Sequence, residues 1–169
     1  MTKKSTEKVY LSADLLKKID LWIKKFPDDQ KQSAVMAALM HVQDEYGYID
    51  DEAMEEISQY LDMPLIAVCE VASFYTMYRL RPMGKNQIDI CTNISCQLNG
   101  ADLIVEAIEK ELNVKLGETT PDGKFHFRKV ECLGACAAAP VMQINKDYHE
   151  NLQPEKLGAI FASYLTGDE

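Results

Sequence analysis

Residues 87–112, QIDICTNISCQLNGADLIVEAIEKEL, decide the fold. The first five alternate polar and apolar, the pattern of a short strand, and they end on Cys91. A loop, Cys91-Thr-Asn-Ile-Ser-Cys96, follows. Residues 101–112 then repeat as a helix, with Leu103, Ile104 and Ile108 expected on one face. Downstream, Pro121-Asp122-Gly123 is a turn, and Phe125, Phe127 and Val130 mark a strand that runs into Cys132. Val141–Ile144 read as another strand, Asn145-Lys146-Asp147 as a turn, and Tyr148 as part of a return strand. Pro154 opens a last helix carrying Leu157, Ile160, Phe161 and Tyr164. The order β-α-β-β-β-α predicts a small sheet with two helices packed on a face.

Upstream the pattern breaks at Arg81-Pro82-Met83-Gly84-Lys85. Everything before it reads as helix. Leu15, Ile19, Trp22, Ile23 and Phe26 share one helical face, with Ser12 as N-cap and Pro27 as stop. Val35, Leu39, Val42 and Tyr46 follow at helical spacing, and Gly47 closes that helix. Asp50 or Asp51 caps a third helix bearing Met54, Ile57 and Leu61, and Pro64 opens a fourth. The expected architecture is α+β in two domains. Residues 1–82 form a helical bundle and residues 83–169 form the sheet domain.

Five cysteines stand in the chain, and four of them form two close pairs. Cys91 and Cys96 are a C-x4-C; Cys132 and Cys136 are a C-x3-C. Each pair lies just after a predicted strand, so two loops at one sheet edge can bring four sulfurs together. Four thiolates point to an iron–sulfur cluster or to structural zinc, and the spacing permits both. Disulfide or catalytic thiols are the remaining reading. The small apolar loop Leu133-Gly134-Ala135 and the tail Ala137-Ala138-Ala139-Pro140 favour a cluster. They let backbone N–H groups approach sulfide and keep water away.

The composition narrows the partners. Hydrophobic residues make up 47% of the 169, enough for a sizeable core. A net charge of −9 argues against a nucleic-acid binder and gives no attraction to anionic lipid. No apolar run reaches the roughly 18 residues of a membrane span. The N-terminus MTKKSTEKVYLSADLLKKID lacks the apolar core of a secretory signal, so a cytoplasmic, reducing location is expected. The eight glycines form no G-x-G-x-x-G and no G-x4-G-K-[ST], so the usual dinucleotide and triphosphate handles are missing. With no C-x-x-C, thioredoxin-type disulfide exchange is not expected either.

The pattern C-x4-C followed by C-L-G-A-C-A-x-A-P resembles that of the thioredoxin-like [2Fe–2S] ferredoxins. The segments EYGYID, VASFYTMYRLRPMGKN, ICTNISCQLNGADLI, GETTPDGKFHFRKVECLGACAAAP and VMQIN extend the resemblance over roughly residues 27–165. They are similar to the small iron–sulfur subunits that accompany NADH-oxidising flavoproteins, those of respiratory complex I above all. The resemblance implies a thioredoxin-like fold and one [2Fe–2S] cluster. Its ligands would be Cys91 and Cys96 on one iron and Cys132 and Cys136 on the other. It also implies docking, through the helical domain, to a flavoprotein subunit that carries FMN and the NADH site, beside other peripheral-arm subunits of the complex. That complex would lie at the inner face of the cell membrane, with no insertion by this chain. No residue of this chain is expected to be catalytic by itself, since turnover would belong to the assembly. Small subunits of NAD-linked hydrogenases and formate dehydrogenases share the ligand set, and a free-standing ferredoxin is the third form.

The other chemistry-bearing residues read as structural. Cys69, in an apolar helix, is expected in the core. His41, His126 and His149 are scattered and complete no metal set. Phe74, Tyr75, Tyr78 and Leu80 read as core or as a partner face, and core is the favoured expectation because apolar residues at helical spacing usually face inward. The run Asp50-Asp51-Glu52 caps a helix and is otherwise solvated.

Overall fold

A computed structural model describes residues 9–165. The basic residues 1–8, part of the segment read above for a signal, lie outside the described residues, as do 166–169. The chain divides into two compact units, with the boundary between Pro82 and Met83.

The first unit holds four helices: α1 (Ala13–Ile23), α2 (Val35–Tyr46), α3 (Asp51–Leu61) and α4 (Leu65–Phe74). Ser12 caps α1 by accepting from the Leu15 N–H, and Asp50 caps α3 by accepting from the Ala53 N–H at 2.9 Å. Gly47 ends α2 in the left-handed region. Leu15, Ile19, Leu39, Val42, Ile57 and Leu61 are fully buried. Each such side chain contributes about 1.5–3 kcal/mol on leaving water.

Two buried tyrosines, Tyr10 and Tyr78, and the partly buried Tyr60 complete this core, each with a partner for its hydroxyl. Tyr10 donates to Asp50, and Tyr60 donates to Asp20. Tyr78 donates to the Met36 carbonyl at 2.9 Å. Burial, with the Asp20 hydrogen bond second, pushes the Tyr60 phenol up to about 12. Burial does the same at Tyr78, also to about 12. Gln43 staples the segment after α4, accepting from Arg79 N–H at 2.5 Å and donating to the Met77 carbonyl at 3.0 Å.

Two expectations for this unit fail. Of the aromatic stripe only Tyr78 is core; Phe74 is 77% exposed, and Tyr75 and Leu80 are also exposed. Helix α4 is apolar nearly all round, yet it buries only Val68 and Ala72. Periodicity cannot tell which stripe of such a helix faces in. Trp22 is likewise exposed at the end of α1. Cys69 is half-buried and packs against the core, as expected.

The second unit is a four-stranded mixed sheet in the order β2-β1-β3-β4. Its strands are β1 (Asn86–Cys91), β2 (Phe125–Val130), β3 (Met142–Ile144) and β4 (Asp147–His149). β1 pairs parallel with β2, while the β1–β3 and β3–β4 pairs are antiparallel. Arg128 joins Asp89 across the parallel pair with contacts of 2.7 and 3.2 Å. Helix α6 (Ala101–Leu112) and helix α7 (Leu157–Leu165) pack together, and their apolar faces share a core with the strands. Ile88, Ile90, Phe125, Phe127, Ile104 and Phe161 form its centre. Leu103 departs from expectation: it is 63% exposed, and Ala101, Ile104 and Ile108 make the buried face instead. A short helix, α5 (Ile94–Leu98), sits inside what reads in the sequence as a loop.

Candidate metal centre

Parallel pairing places the four cysteines. Two parallel strands end at the same sheet edge, and the register sets Cys91 opposite Val130. Cys132 comes two residues after Val130, so both cysteine pairs start at that edge. The first pair is buried, with Cys91 and Cys96 each 2% exposed. The second is exposed, on a loop that becomes a single 3-10 turn at Cys136–Ala138.

The sulfurs are arranged in twos. Cys132 Sγ and Cys136 Sγ stand 3.3 Å apart. Cys91 raises the thiols of both Cys96 and Cys136, so it acts on a member of each pair. All four therefore belong to one neighbourhood.

Each sulfur pair has polar support. Asn93 begins α5 with its Oδ1 accepting from the Ile94 N–H at 2.8 Å. Its Nδ2 donates to Glu131 Oε2 at 3.1 Å, which ties the first loop to the second. Ser95, on α5, lowers the Cys136 thiol, which marks a second interaction between the loops. The Val141 carbonyl accepts from Cys91 N–H at 3.1 Å, and the Val141 backbone lowers the Cys96 thiol. In the exposed loop, Gly134 N–H donates to Cys132 Sγ at 3.3 Å. Gly134 has φ +83°, and the loop depends on that left-handed residue to turn its amide toward the sulfur.

The electrostatics differ between the pairs. Burial, followed by the Cys91 hydrogen bond, pushes the Cys96 thiol up to about 11. The Gly134 N–H, with the Cys136 hydrogen bond second, holds Cys132 below the usual thiol range. Its partner Cys136 is raised, first by its hydrogen bond with Cys132.

Such a donor set fits a two-iron cluster. Thiolate sulfur suits iron–sulfur centres and zinc rather than hard cations. The four cysteines would supply the thiolates that such a centre needs, with the Gly134 N–H on one of the sulfurs. Among the described residues, no three His, Cys, Asp or Glu side chains gather closely enough to hold a single ion.

The sequence-predicted ligands are thus brought to one edge, while the histidines go elsewhere. His126 is buried against Thr119 at 3.0 Å, and His149 bonds the Tyr164 hydroxyl at 2.9 Å. Sequence reasoning passed over Ser95, Asn93, Glu131 and Tyr148, whose hydroxyl donates to the Leu133 carbonyl at 2.9 Å. Ser95 and Glu131 each adjoin a cysteine, and that adjacency is the one signal that could have found them.

Comparison with known proteins places the chain among relatives. The family model of the thioredoxin-like [2Fe–2S] ferredoxins matches residues 19–165. The chain is 41% identical over 144 residues to an E-type subunit of the NADH-quinone oxidoreductase of Rhizobium meliloti (strain 1021), covering 85% of this chain and 84% of that one. It is 47% identical over 139 residues to the E-type subunit of the NADH-quinone oxidoreductase of Rickettsia conorii, covering 82% and 83%. Among solved structures, an NAD+-reducing [NiFe]-hydrogenase in the H2-reduced state has the same fold over 80% of this chain and 22% of that chain. Its TM-score is 0.69 at 20% identity.

Proposed function

The chain belongs to the thioredoxin-like [2Fe–2S] ferredoxin family, and on that premise we infer that Cys91, Cys96, Cys132 and Cys136 hold its cluster. The role is that of a [2Fe–2S] electron-transfer subunit in the NADH-oxidising module of a NADH-quinone oxidoreductase. The observation that carries the ligand reading is the pair of cysteine loops at the shared end of two parallel strands.

When bound, the cluster supplies a store for one electron. The chain's own residues do the rest. The buried Cys91 and Cys96 lie on the side of the site shielded from water, and the Gly134 amide, donating to Cys132 Sγ, would stabilise added negative charge there. Asn93, Ser95 and Glu131 keep the two loops in register.

FMN and NADH bind on a partner flavoprotein subunit, with which this protein exchanges single electrons. The helical unit docks it, next to other peripheral-arm subunits. The exposed apolar residues Leu65, Ile66 and Phe74 on α4 support that role, since such a helix face ordinarily has a partner. Among the described residues no helix is long and apolar enough to cross a membrane. In this reading the complex, rather than the chain itself, holds the protein at the cytoplasmic face of the membrane. Purification of the native protein under mild conditions tests the assignment. It should co-elute with an FMN-containing subunit of a quinone reductase. Co-elution with nickel- or formate-dehydrogenase-type subunits, or with no flavoprotein at all, would contradict it.

A further inference from the structure

The loop from Cys132 to Cys136 is exposed and has no long helix behind it, so its orientation must be fixed from elsewhere. The carbonyl of Leu133 and the N–H of Gly134 belong to one planar peptide group and point to opposite sides of it. The N–H end donates to Cys132 Sγ at 3.3 Å. The carbonyl end accepts from the Tyr148 hydroxyl at 2.9 Å. Phenol, amide and sulfur are therefore hydrogen-bonded in series, and such chains polarise one another.

Tyr148 is itself held in place. Along β4 successive side chains alternate in direction. Asp147 and His149, its two neighbours, both bond the hydroxyl of Tyr164 on α7, at 3.0 and 2.9 Å. That clamp leaves Tyr148 facing the other way, onto the cluster loop.

We propose that Tyr148 is a positioning residue for the iron–sulfur centre, aiming and polarising the Leu133–Gly134 amide at Cys132 Sγ and so raising the centre's reduction potential. The proposal rests on the ligand assignment above. The sign follows from charge. One added electron makes the ligand sulfurs more negative, so an amide donor stabilises the reduced state more than the oxidised one.

A redox titration of the purified holo-protein tests it, with iron and sulfide measured first. Tyr148→Phe keeps the ring and removes the donor. It should retain its full metal and sulfide. At the wild-type midpoint its reduced-to-oxidised ratio should fall about threefold, roughly 30 mV for a one-electron couple. Site-specific replacement of Tyr148 by a fluorinated tyrosine gives a stronger donor of nearly the same shape. Below that phenol's own titration, its ratio should shift the opposite way. If Tyr148→Phe does not assemble, the fluorinated protein decides by the same criterion. A loaded protein whose potential is the same in the variants and the wild type overturns the proposal. A wild type that holds no iron and sulfide overturns the ligand assignment first, and the proposal with it.

Discussion

The two units use their buried polar chemistry in opposite ways. In the helical unit, tyrosine hydroxyls turn inward and find carboxylates or carbonyls within the unit, so the core closes on itself. In the sheet unit, polar and sulfur groups gather at one edge of the sheet, where two loops meet. The first arrangement needs nothing added. The second sets four thiols together, two of them shielded from water, and in the function proposed above it is completed by metal. The redox chemistry is thus held in one part of the chain, apart from the tyrosine-lined helical core.

Breaking a ligand should affect only the second unit. Cys91→Ser removes a buried thiol and should abolish the cluster, while the helical unit keeps its native circular dichroism and hydrogen-exchange protection. Cys132→Ser acts in the exposed loop, where a hydroxyl can still reach the site. It should leave a reduced amount of cluster with an altered electron paramagnetic spectrum. Equal behaviour of the two variants would erase the difference between buried and exposed pairs.

The same contrast extends to thiol chemistry. In protein stripped of iron and sulfide, alkylation followed by mass spectrometry near neutral pH should label Cys132 on the order of 100-fold faster than Cys96. Exposure and the Gly134 amide favour the Cys132 thiolate, while burial disfavours that of Cys96. Comparable rates at both would mean that the first loop opens freely.

The helical unit should fail in alkali instead. The Tyr60 and Tyr78 phenols titrate near 12 in the fold against 10.0 when free. Their raised values favour the neutral form. That contribution is whole below pH 10 and is lost as pH rises toward 12. Tyr60→Phe, which removes the bond to Asp20, should cost about 1 kcal/mol at neutral pH in urea unfolding. It should also flatten the alkaline loss. A profile unchanged by the substitution would detach the phenol from the unit's stability. The smallest effect belongs to Cys69→Ser, which should leave cluster content untouched and lower stability by about 1 kcal/mol or less.

Much of this was legible in the residues, for identifiable reasons. Ser12, Gly47 and Asp50 act as caps because capping is local chemistry at known positions. The strands at Asn86–Cys91 and Phe125–Val130 announce themselves by alternation, and the cysteines that follow them by spacing. The inward face of α4 was not legible, because Leu65, Ile66 and Phe74 look like core until the neighbours are placed. Leu103 misled in the same way, since one residue of rotation separates it from the buried Ile104. Helix α5 carries Cys96 in only five residues, too few for a period to show. The Tyr148 contact links residues 15 apart through a backbone carbonyl, for which a sequence carries no mark.

Everything proposed for the sheet unit depends on the four cysteines at its edge holding one two-iron cluster. Iron, zinc and acid-labile sulfide counted per chain in anaerobically purified protein test this most directly. Two iron, two sulfide and no zinc are expected, with visible absorption that weakens on reduction. A colourless protein with one zinc and no sulfide would contradict it.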